Sequence, residues 1–470
     1  MSFAATLNPS WVTAGPWRQW GDWYLPPQNF NPIMLNPYAW YDAHTGGSPS
    51  GITDSSLNAR AAMTVGAGSN SPLWLPYLGP SVYVPAGAGN GVATNAVALP
   101  GVAELDVRGV VRFDDITATE ILLTHGSTSA ASATFRFSHN NTALRLEVSN
   151  GTTFTAFQPS AHGFATGDIK AVRFTYRASD GQVQILHKTT TFATALADMQ
   201  SNSGWSLVGS SGTVPANYLA NFSTLYGFGR YGTTASTPFL GPLLCAQASS
   251  TIDGAPDAMT FDAASCTETG YTSPLGNVWS VTRATTGRKT TVQSAAAGSA
   301  EALFLPGVDD KLDGPVAAVP PCANAASASM FAVIRPWATQ ASPKVIATTR
   351  SGSGAGVTLR MASATTIVAD VSDGTTTNTT PAVAFTPGQR LVVGVHLDAA
   401  GTARVSVNNT FGSTVARPAS TQAGGVLVCT ADSTPANFLD AECRVPWYAL
   451  DHLASAGEVA QLVAYYGGGL

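Results

Sequence analysis

The most constraining feature of this chain is a run of short alternating segments, closed by glycine turns, that recurs once at a nearly fixed spacing. In KAVRFTYR, Val172, Phe174 and Tyr176 alternate with Arg173, Thr175 and Arg177. In LRLEV, Leu144, Leu146 and Val148 alternate with Arg145 and Glu147. Successive side chains of an extended strand point to opposite faces, so both segments predict strands with one apolar face. Turn residues punctuate them at Ser149–Gly151, Ala165–Asp168 and Ser179–Gly181. LRLEVSNGTTFTAF and ATGDIKAVRFTYRASDGQVQILHK are answered by TIVADVSDGTTTNTT and FTPGQRLVVGVHLDAAGTARVSVNN. Asn150-Gly151 matches Asp373-Gly374, Gly167 matches Gly388, and Asp180-Gly181 matches Ala400-Gly401, at offsets of 223, 221 and 220 positions. Upstream, LPGV at Leu99–Val102 answers LPGV at Leu305–Val308, offset 206. Two copies of one antiparallel β-domain are therefore expected.

A length of 470 residues suits two or three cores, and the 44% apolar content is enough to fill them. Charged residues are only 11% against roughly 25% in an average soluble protein, so the surface must be built from Thr, Ser, Asn and Gly. Such a surface suits neutral partners such as glycans or other subunits. With a net charge of −5 and no basic run, the electrostatic footprint of a nucleic-acid binder is missing. Cys245, Cys266, Cys322, Cys429 and Cys443 have no CxxC spacing, and their odd number argues for buried free thiols rather than a disulfide framework or a zinc site. MSFAATLNPSW lacks the basic and apolar parts of a signal peptide, and no apolar run of about 18 residues predicts a membrane span. The expectation is a protein made in a cytoplasm with no membrane insertion.

One helix is legible, in SAGEVAQLVAYYGGG. Ser455 and Glu458 form a capping box; Val459, Leu462, Val463 and Tyr466 make one apolar stripe, and Gly467 supplies the stop. At the other end, Trp11, Trp17, Trp20, Trp23 and Trp40 crowd into the first forty residues among Pro16, Pro26, Pro27, Pro32 and Pro37. Proline forbids helix and interrupts sheet there. Indoles on such an arm must pack on something, either the chain's own sandwich or a partner. Trp40 belongs to the first strand. Trp11, Trp17, Trp20 and Trp23 are candidate anchors.

NPYAWYDA at 36–43, followed by DSSLNARAA at 54–62, resembles the opening of laminin-G-like, concanavalin A-like jelly-roll domains of tailed-bacteriophage structural proteins. AELDVRGVVRFDD at 103–115, followed by LRLEVSNGTT, is similar to the next strands of minor tail proteins from phages of actinobacteria. FDAASCTETGYTSPLGNVWSVTRATTG at 261–287 is similar to their closing segment, FLPGVDDKLDG to a second entry strand, and ALDHLASAGEVAQL to their terminal helix. The second copy lacks an obvious WYD strand. The resemblance implies an all-β chain: an arm at 1–36, a first jelly-roll sandwich at 37–292, and a second at 293–470 ending in a short helix. It also implies a non-enzymatic virion component, a minor tail or tail-tip protein whose arm docks on other virion proteins or a second copy. Its sandwiches would meet host envelope glycan. A capsid decoration or head-fibre protein is the alternative within that class, and a glycoside hydrolase of the same fold is the alternative outside it.

The hydrolase reading rests on Glu104 and Asp106. Laminarinase-type hydrolases carry Glu-x-Asp-x-Glu on one strand, where alternation offers a nucleophile and an acid to one sugar. Here position 108 is Arg and 109 is Gly, and Leu312 sits where Asp106 would map in the second copy, so no catalytic residue is assigned. Asp309, Asp310 and Asp313 cluster in VDDKLDG and could supply half of a calcium shell, although a solvated turn explains them as well. No other cofactor is implied. Trp205, Tyr226 and Tyr231 fall near expected strand ends and are the candidates for stacking on sugar rings, with core packing as the alternative for each.

Overall fold

The computed structural model describes residues 30–43, 47–48, 51–65, 73–75, 78–85, 87–101, 103–232, 238–267, 269–284, 289–294, 302–306, 311–322, 326–336, 343–418, 426–431 and 437–467. These residues form four antiparallel sheets stacked as two sandwiches. In the first, one sheet runs from Phe154–Phe157 through Ala143–Ser149, Ala133–Asn140, Thr119–Gly126, Thr224–Phe228, Gly91–Val97 and Val278–Thr282 to Gly270–Thr272. The facing sheet runs from Gln182–Thr189 through Ile169–Arg177, Glu104–Arg112, Gly241–Ser249 and Ser81–Val84 to Thr291–Gln293. The expected alternation is realised: Val172, Phe174, Tyr176, Leu144, Leu146 and Val148 fill the core between the sheets.

The second sandwich repeats the same strand order with different chain ends. Its outer sheet runs through Thr402–Val407, Leu391–Asp398, Ala328–Pro336, Asp440–Leu450, Ala302–Pro306 and Leu73–Leu75, and Ala39–Tyr41 pairs with Asp440–Leu450. The facing sheet sets Gly51–Ile52 and Met63–Val65 beside Leu312–Gly314, Leu427–Cys429, Lys344–Thr348 and Ala355–Ser363. The described strands between residues 39 and 75 thus belong to the second sandwich. The expected division at 37–292 and 293–470 differs from this pairing, and Gln293 still lies in a strand of the first sandwich.

Connectivity explains the difference. The turn after Gly241–Ser249 returns the chain at once as Met259–Asp262, which pairs in register with the strand it has just left. A short hairpin closes with little entropy loss, so the first sandwich is closed by strands from the second sequence copy. AWYDA at 39–43 stands 220 positions before MTFDA at 259–263 and fills the same place in the other sandwich, against Asp440–Leu450. The two copies exchange their first strands. The WYD strand that the second copy lacked in sequence is therefore Ala39–Tyr41. The LPGV match is out of register: Ala302–Pro306 takes the place of Ser81–Val84, each pairing with the long central strand of its sheet.

The C-terminal helix Ala456–Tyr466 forms as expected, with Ser455 and Glu458 capping each other and Gly467 left-handed at φ 67°. It packs its buried face on Trp40, Phe331, Val333 and Tyr448, outside the sheet. The five cysteines are buried. Among the described residues no helix is long and apolar enough to cross a membrane. Among the described residues the strands of the first sandwich all lie between 81 and 293, whereas the second depends on the strands Ala39–Tyr41, Gly51–Ile52, Met63–Val65 and Leu73–Leu75. Residues 78–294 expressed alone are expected to unfold in one cooperative transition by circular dichroism. Residues 302–467 alone should show none until a 30–76 peptide is added. A cooperative transition from 302–467 without the peptide would contradict the exchanged closure.

Candidate functional site

Glu104–Arg112 is a central strand of the first sandwich. Leu105 and Val107 face the core, so Glu104, Asp106 and Arg108 face outward. That outer face is covered by the helix Ala195–Gln200 and Trp205. Asp106 is only 1% exposed. Its carboxylate accepts from Arg108 Nε at 3.1 Å and Nη2 at 2.7 Å, from Arg173 Nε at 2.9 Å and Nη2 at 2.8 Å, and from the Asp253 N–H at 3.0 Å. Arg108 Nη1 also donates to Met199 O at 3.1 Å and Gln200 O at 3.4 Å, tying down the last carbonyls of the helix. Glu104 accepts from the Ile252 N–H at 3.0 Å. A carboxylate saturated by two guanidiniums and shielded from solvent offers no lone pair to a sugar, so Asp106 is structural.

The counterpart of Asp106 is Ser329 rather than Leu312. Asp106 stands between Thr175 and Ser249, as Ser329 stands between His396 and Leu450, while Leu312 lies in the opposite sheet.

The aromatic candidates are not brought together. Trp205 is half-buried, with its Nε1–H on Ser201 O at 2.8 Å and Lys188 Nζ 5.1 Å from its ring. Tyr226 is wholly buried in the first core, its ring 4.4 Å from that of His125, because Thr224–Phe228 turns it inward; it is no platform for a sugar. Tyr231 is half-buried on the outside of the other sheet, 5.4 Å from the Arg136 guanidinium, which lies 3.6 Å from the Phe154 ring. Trp11, Trp17, Trp20 and Trp23 lie outside the described residues, as do Asp309 and Asp310. Asp313 pairs with Lys311 at 2.8 Å. Among the described residues no three His, Cys, Asp or Glu side chains are placed to share a metal ion.

A different place has the form of a binding site. Where Glu104–Arg112 ends, a groove of about 600 Å³ opens, lined by Leu78, Arg112, Asp114, Thr166, Ile169, Thr191 and Phe192. Arg112 and Asp114 pair in parallel, Nε to Oδ1 at 2.6 Å and Nη2 to Oδ2 at 2.9 Å, which neutralises the rim. Ile169 stands opposite Arg112 in register. Phe192 packs so closely on Gly79, φ +145°, that a Cβ there would come within 2.7 Å of it. Leu78, Ile169 and Phe192 give an apolar surface, and Arg112, Asp114, Thr166 and Thr191 supply donors and acceptors around it. Sequence reasoning missed this groove because its walls come from four separated segments; the turn at Ala165–Asp168 was its only visible signal.

No family model and no curated protein matches this chain. Solved structures do resemble it. Mouse laminin alpha1 domains LG4-5 cover 83% of this chain and 94% of their own, at 11% identity and TM-score 0.29. A SAP-like pentraxin from Limulus polyphemus covers 37% of this chain and 77% of its own, at 13% identity and TM-score 0.27. A sialidase CBM40 of Ruminococcus gnavus bound to alpha2,3 sialyllactose covers 38% and 92%, at 11% identity and TM-score 0.26. At TM-scores this low the likeness assigns neither ligand nor activity. The all-β sandwich architecture rests on the strand pairing itself.

Asp106→Ala would remove the buried carboxylate that joins Arg108 and Arg173, leaving them only the half-exposed Asp253 carboxylate, 2.7 Å from Arg173 Nη2 and 3.6 Å from Arg108 Nη2. The loss should be about 3–5 kcal/mol, as for a broken buried pair. Urea denaturation of residues 78–294 is expected to register that loss, and Glu104→Gln much less. A change below about 1 kcal/mol for Asp106→Ala would contradict the structural role given to this carboxylate.

Proposed function

We propose that this chain is a non-catalytic structural protein of a tailed-phage particle, in the minor tail or tail tip, whose first sandwich binds a neutral envelope glycan. The observation that carries the binding reading is the groove at Arg112–Asp114. An aromatic and aliphatic surface ringed by paired charges and hydroxyls suits a sugar, whose apolar face packs on a ring while its hydroxyls bond the rim. The saturation of Asp106 supports binding over hydrolysis. A surface with only 11% charged residues supports a neutral ligand. The particle reading is supported by the resemblance of 36–62, 103–115 and 261–287 to phage tail domains, and by the tryptophan-rich arm, whose anchors Trp11, Trp17, Trp20 and Trp23 would meet other virion proteins or a second copy.

The full chain on an array of bacterial envelope polysaccharides, with and without calcium, tests the binding reading. Retention of a neutral polysaccharide is expected, and Phe192→Ala should weaken it about tenfold, the effect of losing one ring contact worth roughly 1.5 kcal/mol. Tyr231→Ala should leave it unchanged. A silent array, or binding indifferent to Phe192→Ala in a variant with wild-type melting temperature, would contradict the assignment of the groove.

A further inference from the structure

The loop 158–168 forms one wall of the groove through Thr166 and Gly167. Besides the core-buried Phe164 ring and an Asn140–Gln158 hydrogen bond, two contacts of half-buried His162 hold it down. The His162 N–H donates to Thr142 O at 2.9 Å, and the His162 ring stacks on Phe164 at 4.0 Å while its Nε2 lies 2.8 Å from His139 Nε2. Backbone geometry fixes which nitrogens carry protons. The Phe164 N–H donates to His162 Nδ1 at 2.9 Å, so Nδ1 is unprotonated and the neutral ring carries its hydrogen on Nε2. That Nε2–H donates to His139 Nε2, and His139 carries its own hydrogen on Nδ1. Every further proton breaks a bond. On His139 it sets two N–H groups head to head; on His162 it meets the Phe164 N–H.

We propose that the His139–His162 contact is an acid-released latch on the 158–168 loop, and hence on the wall of the groove. The gating of ligand rests on the groove being the glycan site, but the latch itself does not. The charges around the pair favour release. Glu120 stands opposite His139 in register, and burial pushes its carboxyl up to about 8, so it is uncharged at neutral pH and supplies no anion to hold an imidazolium. Asp115 and Asp168 favour protonation, whereas Lys170 and His187 oppose it. Burial outweighs these charges and lowers both His139 and His162 to about 4. The far end stays attached, since the Gly167 N–H donates to Phe113 O at 2.7 Å and the Phe113 N–H to Asp168 O at 3.0 Å. Gly163 at φ +70° follows the latched His162, and Gly167 at φ +90° stands at the attached end.

The sign follows from linkage. A histidine lowered in the closed form and ordinary in the open one favours the closed form fully above about pH 6.5 and loses that preference as pH falls toward 4. For one imidazole the opening constant should rise about 20-fold between pH 7 and pH 5. Hydrogen exchange on the full chain, corrected for intrinsic rates, reads this directly. The His162, Phe164 and Ala165 amides are expected to lose about 20-fold in protection between pH 7 and pH 5 while Ile169–Arg177 stays protected. His162→Gln keeps a side-chain N–H for neutral His139 and, by turning its amide, can accept from a protonated His139, so its acid response should be much smaller. Unchanged protection in the wild type, loss shared by the whole sandwich, or the same fall in His162→Gln would overturn the latch. A polysaccharide retained at pH 7 should be released in step. Opening without release would overturn the gating, while opening in a protein that binds no polysaccharide at pH 7 would leave the latch standing and reject the groove as a glycan site.

Discussion

Three residues carry the architecture. Ala39, Trp40 and Tyr41 pair with Ala449, Tyr448 and Trp447, and this short ladder brings the two ends of the described chain into one sheet. Few backbone bonds are involved, so side chains do most of the holding. Tyr41 is buried in the core between the sheets, and its hydroxyl donates to Ala61 O at 2.8 Å. Trp40 points outward, its indole N–H donating to the Tyr466 hydroxyl at 3.0 Å and its ring set edge-on to Tyr448. The Trp40 N–H is received by Asp54 Oδ1 at 3.0 Å, which fixes the turn that follows. One tryptophan thus joins the first strand, the last strand and the terminal helix. If it lets go, the second sandwich loses an edge from each sheet, and the first sandwich, held between its halves, loses its mount.

The two sandwiches share a strand order and answer one problem by opposite chemistry. Each must cover the outer face of the sheet that contains Glu104–Arg112 or Ala328–Pro336. In the first, the covering helix is short and is held by an ionic knot of Asp106, Arg108 and Arg173. In the second, the longer terminal helix lies on Phe331, Trp40 and Tyr448. At Asp106 the first copy has a carboxylate and the second has Ser329; at Arg108 the second has Phe331. A duplicated sheet therefore shows which residues the fold requires, those facing inward, and which depend on what lies outside. A buried ion cluster contributes little net stability over an apolar cover, but its geometry fixes the position of the helix. The 191–193 wall of the groove leads directly into that helix, so the knot also sets the groove's width.

Much of this was legible in sequence. Period-two alternation located the central strands, glycine turns located the hairpins, and the capping box located the terminal helix to within a residue. These signals are local, each set by a few adjacent residues. The exchange of first strands was not legible, because AWYDA and MTFDA are equally good partners for either long strand; the hairpin length after Ser249 decides between them. Tyr226 was misplaced because YGFGRYG looks like a loop, while the strand continues through Phe228 and turns Tyr226 inward. Asp106, the weighed and unassigned hydrolase candidate, read as solvent-facing because a carboxylate on an outward position does so until the covering helix, some ninety residues away, is known. The groove was invisible for the same reason.

Pulling the chain from both ends in an optical trap tests the exchanged closure most directly. If 81–293 is inserted within the second sandwich, force cannot reach it until Ala39–Tyr41 is torn from Asp440–Leu450. The first rip should then always be the second sandwich, and weakening the first with Asp106→Ala should leave the force of that first rip unchanged. Two sandwiches strung in simple tandem would open in either order, and Asp106→Ala would lower the force of the first rip; that outcome would contradict the account.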